Sequence, residues 1–193
     1  MKIGVDLDGV VVDLMTPFLE FHNRNYGTFF SYRDITSHNF WIPWGLEKEE
    51  ANRRLFEFME NSSFYDIKPQ RGAISSVKKL SQNHRLDVIT SRPEFYKEKT
   101  IQWLDYYLPK VFREVIFTYQ YPLVDGISRK GEICMAKGIE IMIEDIDRNA
   151  LACVQFCEKV LLFDQPWNQD AKLSDNIVRV KNWKEVLREI DGK

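Results

Sequence analysis

The chain has 193 residues, enough for one domain or for one domain carrying a sizeable insertion. Its 44% hydrophobic and 29% charged residues supply a core without a disulfide or metal staple. The 27 basic and 29 acidic residues are mixed along the chain and leave a net charge of -2. That excludes counterion-driven binding of polymeric DNA or RNA, while a single nucleotide stays open as a partner.

In chain order, the first element is a strand predicted over residues 2–7, reached directly from Met1 without a signal-peptide pattern. Residues 17–70 then break the pattern. They hold no convincing strand, a helix is predicted over 46–61, and they carry 13 of the chain's 26 aromatic residues. A small helical cap inserted after the first strand is expected there, with 1–16 and 71–193 forming the core domain. Beyond it, helical patterns at 73–83, 94–108, 130–137 and 148–157 alternate with apolar runs at 86–90, 114–118, 140–144, 159–163 and 177–180. The runs are continuous rather than alternating in polarity, as in strands buried on both faces. Asn182 caps a last helix, and Glu185, three residues on, can return the bond. The fold class is therefore α/β, a Rossmann-like parallel sheet with helices on both faces. No apolar stretch approaches the roughly 18 residues of a bilayer span. The three cysteines form no CxxC pair, and Cys153 and Cys157, four apart on a helix, read as small buried residues. A cytoplasmic protein is expected.

Ligands of open parallel sheets bind at the carboxyl ends of the strands. The first strand delivers Asp6, Asp8 and Gly9 there, the second Thr90 and Ser91, and the fourth Glu144 and Asp145. Lys130 opens the helix before that fourth strand. Carboxylates, hydroxyls and an ammonium on one rim suit phosphoryl transfer. A phosphate monoester is dianionic, so a hard cation such as Mg²⁺ must neutralise it, held by one or two carboxylates. Asp6, Asp8, Glu144 and Asp145 are the candidate metal ligands, Glu144 either as a ligand or as support for one. Asp6 is the candidate nucleophile, and Asp8 the acid that protonates the leaving oxygen and the base that activates water. Gly9 allows a sharp turn, and Thr90, Ser91 and Lys130 hold the phosphate oxygens.

Asp6-Leu7-Asp8-Gly9-Val10, Thr90-Ser91, Lys130 and Glu144-Asp145, in this order, resemble the four motifs of the haloacid dehalogenase (HAD) superfamily. Within it the chain resembles the 5'(3')-deoxyribonucleotidases in size, in its short first motif, in Thr-Ser and in the aromatic cap. The resemblance implies a magnesium-dependent phosphatase acting through a phospho-aspartate, with nucleoside monophosphates as substrates and cap aromatics against the base. Phe40, Trp41 and Trp44 are the candidates for that stacking, although a small cap also needs a core of its own. Glu144, where many relatives carry Asp, and Arg92 after the second motif depart from the pattern.

Alternatives carry their own discriminators. A phosphatase or phosphotransferase for another small metabolite would show polar cap residues near Asp6. A receiver domain would carry its acceptor Asp after a middle strand and have no cap. A degenerate binding protein would have lost motif residues. Val10, Val11 and Val12 exclude a calcium loop. His22, His38 and His84 share no spacing that suggests zinc. Asp13 and Asp147 read as structural or solvated.

Overall fold

The computed structural model describes residues 1–62, 67–120 and 129–192. Phe64 and Tyr65, two of the aromatic residues of the insertion, lie outside them. Among the described residues six strands, β1 (Lys2–Val5), β2 (Arg85–Thr90), β3 (Glu114–Phe117), β4 (Ile141–Glu144), β5 (Lys159–Phe163) and β6 (Ile177–Val180), form one sheet in the order β3-β2-β1-β4-β5-β6. Every pairing is parallel. The order reverses between β1 and β4, so the crevice for a ligand lies beyond their carboxyl ends.

Alternate strand residues sort into two cores, one on each face. Ile3, Val5, Val88, Ile143 and Leu161 pack in the first core, together with Val77 of α3 (Ala73–Leu80), Trp103 of α4 (Lys97–Tyr107) and Trp183 of α7 (Trp183–Asp191). Ile89, Met142, Val160 and Leu162 pack in the second with Ile133 of α5 (Arg129–Lys137) and Ala150 of α6 (Asp147–Cys153). This double coverage is why the strand sequences read as unbroken apolar runs.

Two further helices, α1 (Met15–Tyr26) and α2 (Lys48–Asn61), precede α3. The chain leaves and re-enters the sheet side by side. The Asp13 amide donates to the Lys68 carbonyl at 2.9 Å, and the Gln70 amide to the Val11 carbonyl at 2.8 Å. Helix α1 escapes a sequence reading because it has no N-cap side chain and carries Pro17 in its first turn, where proline is tolerated. Several expected boundaries need correction, among them the helix expected at 73–83, which ends at Leu80. The helix expected at 148–157 ends at Cys153, that at 94–108 opens with a 3-10 turn over Glu94–Tyr96, and the first strand ends at Val5 rather than at residue 7. Asn182 does cap α7, accepting from the Lys184 and Glu185 amides, but the Glu185 carboxylate accepts from the Lys181 amide instead of returning the bond to Asn182. Among the described residues no helix is long and apolar enough to cross a membrane. The three cysteines are free and buried.

Candidate active site

The loop after β1 is built on a single carbonyl. Leu7 O accepts from the Val10, Val11 and Val12 amides at 3.2, 2.8 and 2.8 Å, folding the chain back at Gly9. Gly9 has φ +79°, and a Cβ there would lie 2.1 Å from Asp145 Oδ2. Only glycine lets the β1 loop come this close to the end of β4. The adjoining Asp6 is tied across the switch point, its amide donating to the Ile143 carbonyl at 3.0 Å.

Asp6, Glu144 and Asp145 consequently form a buried group whose ligand oxygens all lie within 4.8 Å of one another. Lys130, at the start of α5 and 2% exposed, reaches into it. Its ammonium lies 2.7 Å from Asp6 Oδ2 and also pairs with Glu144. Burial works against the Lys130 charge, yet Asp6 and Glu144 outweigh it and hold the ammonium protonated. Burial pushes the Asp6 carboxyl up to about 7, against the pull of Lys130. The Asp145 carboxyl is raised well above the usual range by burial and by the charges of Glu144 and Asp6. Glu144 goes the other way: burial opposes ionisation, but Lys130 and the backbone amides hold it low. Its two oxygens accept from Lys130, Asn149 Nδ2 and the Asp145 and Ile146 amides. Glu144 is thus saturated by protein donors and serves as an anchor for Lys130 and for the loop that carries Asp145.

The donor set fits a hard divalent cation. It is all oxygen and carries more negative charge than Lys130 alone offsets. Among the described residues Asp145 Oδ1 is buried without a hydrogen-bond partner, as a carboxylate placed for a cation would be. Asp6 and Asp145 are the residues that could hold such an ion. Asp8 is placed differently from the other three candidate ligands: both its oxygens accept from Arg92, at 2.9 and 2.6 Å.

A cavity of about 270 Å³ opens over this group, with Asp6, Asp8, Thr90, Ser91, Lys130 and Asp145 on its floor. Thr90, at the end of β2, is buried, whereas Ser91 is exposed. The wall contributed by residues 14–59 is mostly apolar and includes Ile35, Phe40, Leu55, Phe56 and Met59. Of the three aromatics chosen for stacking, Phe40 lines this wall. Trp44 is 6% exposed and packs inside the insertion, its ring 4.9 Å from that of Phe30 and nearly parallel to it. Trp41 is partly buried against the same core, with the Lys48 ammonium over its ring. Neither tryptophan is among the described residues that line the cavity.

Sequence reasoning missed several contributors. Phe56 and Met59 sit three apart on α2, a spacing visible in the sequence but not tied to the site. Trp167 and Asn168 donate to the Asp145 carbonyl at 3.0 and 2.8 Å, and Gln165 to the Gly9 carbonyl at 3.1 Å. These come from the 3-10 turn after β5 and its flank, for which no local motif exists.

Comparison with known proteins agrees with this geometry. Residues 1–191 match the family described as 5' nucleotidase, deoxy (pyrimidine), cytosolic type C protein. A nucleotidase of Clostridium acetobutylicum is 28% identical over 99% of this chain and 94% of its own length. A 5'(3')-deoxyribonucleotidase of Bacillus subtilis is 24% identical, covering 97% of both chains. Among solved structures, a haloacid dehalogenase-like hydrolase of Streptococcus pneumoniae superposes with a TM-score of 0.68 at 14% identity, over 97% of each chain. Sheet order, motif placement and family match thus converge: the chain is a hydrolase with the fold of haloacid dehalogenase-like proteins and belongs to the cytosolic type C deoxy-5'-nucleotidase family.

Proposed function

We propose that the protein hydrolyses the phosphate monoester of a (deoxy)nucleoside monophosphate, with Mg²⁺, through a phospho-aspartate on Asp6. The observation that carries this reading is the convergence of Asp6, Lys130 and Asp145 at the switch point, beneath a cavity with an apolar wall. Asp6 and Asp145 would hold Mg²⁺, whose charge would supply neutralisation of the phosphate and so lower the repulsion between two anions. The free Asp6 oxygen attacks phosphorus as the bond to the leaving oxygen breaks. Asp8 gives that oxygen a proton, then takes one from the water that attacks the phospho-aspartate, which restores Asp6 and releases inorganic phosphate. Lys130, Thr90 and Ser91 hold the equatorial oxygens in place. Residues 17–70 act as a cap whose apolar wall, Phe40 and Phe56 included, receives the nucleoside and keeps water from the reacting atoms.

A cap wall that is apolar rather than cationic favours a nucleoside over a sugar phosphate. The test is Asp6→Asn, nearly isosteric but a poor nucleophile. Turnover of nucleoside monophosphates should vanish while the melting transition persists, and retention of more than a few per cent of activity would overturn the assignment.

A further inference from the structure

Arg92 is the most deeply built charged side chain of the site outside the motif positions. It is 5% exposed, and its planar fork faces Asp8, Nε donating to Oδ2 at 2.9 Å and Nη2 to Oδ1 at 2.6 Å. The remaining edge is anchored as well. Nη1 donates to Thr100 Oγ1 at 3.1 Å, and that hydroxyl donates to the Tyr96 carbonyl at 2.8 Å. The Tyr96 ring lies 5.4 Å from the guanidinium carbon. Asp8 itself is 29% exposed by its side chain and forms part of the cavity floor. One edge of its carboxylate is therefore clamped while the group still borders the space a substrate would enter. A guanidinium fork fixes the plane of a carboxylate, whereas an ammonium is a point charge about which the carboxylate can turn.

We infer that Arg92 is a positioning residue for the phosphatase reaction, acting through Asp8. Its fork sets the Asp8 carboxylate in the plane from which one oxygen meets the leaving-group oxygen, and later the attacking water. Arg92 acts on the reaction through the two oxygens of Asp8 and itself transfers no proton. In the first step the Asp6–phosphorus bond forms, the bond from phosphorus to the leaving oxygen breaks, and the proton passes from Asp8 to that oxygen. A misoriented Asp8 slows this step most for esters whose leaving oxygen needs the proton. The inference rests on the acid–base role given to Asp8 above.

The test compares p-nitrophenyl phosphate, whose leaving group needs little acid help, with a nucleoside monophosphate, whose alkoxide needs it. kcat/KM is measured because it reports on the step in which the leaving group departs. Arg92→Lys keeps the charge and loses the fork. It should lower kcat/KM about 10- to 100-fold for the nucleotide and less than about threefold for the aryl ester, a part of the ~10²–10⁴ available to acid–base catalysis. In an Asp8→Asn background the same substitution should add less than about twofold, because its effect passes through Asp8. A brace of purely structural function would lower both esters equally and add its full effect in that background; either result overturns the inference. Should Asp8→Asn alone affect both esters equally, the acid–base role of Asp8 fails and Arg92 falls with it. A selective Asp8→Asn with a non-selective Arg92→Lys defeats the Arg92 inference alone. If Arg92→Lys shows no cooperative melting, Thr100→Val takes its place. It removes the acceptor of Nη1 at constant volume and should show the same selectivity on a smaller scale, and its absence overturns the inference.

Discussion

Gly9→Ala tests the geometry that joins the two halves of the site. A Cβ at position 9 would stand 2.1 Å from Asp145 Oδ2 and 2.7 Å from its Cγ, whereas ordinary contact begins at 3.4 Å. The carboxylate must therefore retreat by about 1.3 Å, or the β1 loop must move by as much. Misplacing a reacting group by about 1 Å is enough for a ~10²-fold loss of rate, so kcat/KM should fall by at least that factor. The left-handed backbone adds about 1–2 kcal/mol of strain for a residue with a Cβ. That corresponds to roughly 2–8 °C in Tm for a chain of this size. Gly138→Ala separates the two effects. It has φ +61° and, among the described residues, nothing within 4 Å of the added Cβ, so it carries the strain without the clash. Steady-state kinetics with Mg²⁺ and urea denaturation should show Gly138→Ala destabilised but fully active, and Gly9→Ala both destabilised and inactive. Gly9→Ala within threefold of wild-type activity, or Gly138→Ala equally crippled, would refute the reasoning.

Lys130→Met, assayed with a chelator present, should destabilise the fold by about 3–5 kcal/mol at pH 8, because it strands buried carboxylates without a cation. Part of that loss should return as pH falls toward 5, since the Asp6 carboxyl, already pushed up to about 7, then takes a proton and sheds its charge; urea midpoints that do not depend on pH would contradict this. Trp44→Leu should lower Tm by several degrees without a selective rise in KM for nucleotides, because Trp44 packs against Phe30 and Phe40 rather than on the cavity. Phe56→Leu should do the reverse, and a nucleotide-specific KM effect in Trp44→Leu would show that the tryptophan touches substrate. His22 accepts from Arg54 at 3.0 Å through Nε2, so its proton lies on Nδ1, facing Thr28. Burial and then the Arg54 charge hold its pKa at about 4. The unfolded chain takes up that proton near pH 6.5, so this group's contribution is complete above about 6.5 and is lost as pH falls toward 4. A stability–pH slope over that window that is unchanged in His22→Gln would exclude it.

Much of the site was legible in the sequence because its residues sit at strand ends, and strand ends in a parallel sheet share one rim. Asp6, Thr90, Lys130 and Asp145 needed only the alternation of apolar runs and helical patterns to be brought together. The all-parallel sheet followed from strands apolar on both faces, such as residues 159–163. Other features belong to the tertiary structure, since they depend on distances between segments far apart in the chain. Asp8 and Arg92 are 84 residues apart, and nothing local tells that the fork of one closes on the carboxylate of the other. Glu144, on sequence grounds equally a ligand or a support, became an anchor through the four donors that crowd its two oxygens. Within the insertion, composition showed a concentration of aromatic residues but could not divide the rings between core and cavity. Trp44 and Phe40 are equally apolar and four residues apart. Which one faces the cavity depends on how α1 and α2 pack, and long-range burial sets that packing where residue type is silent.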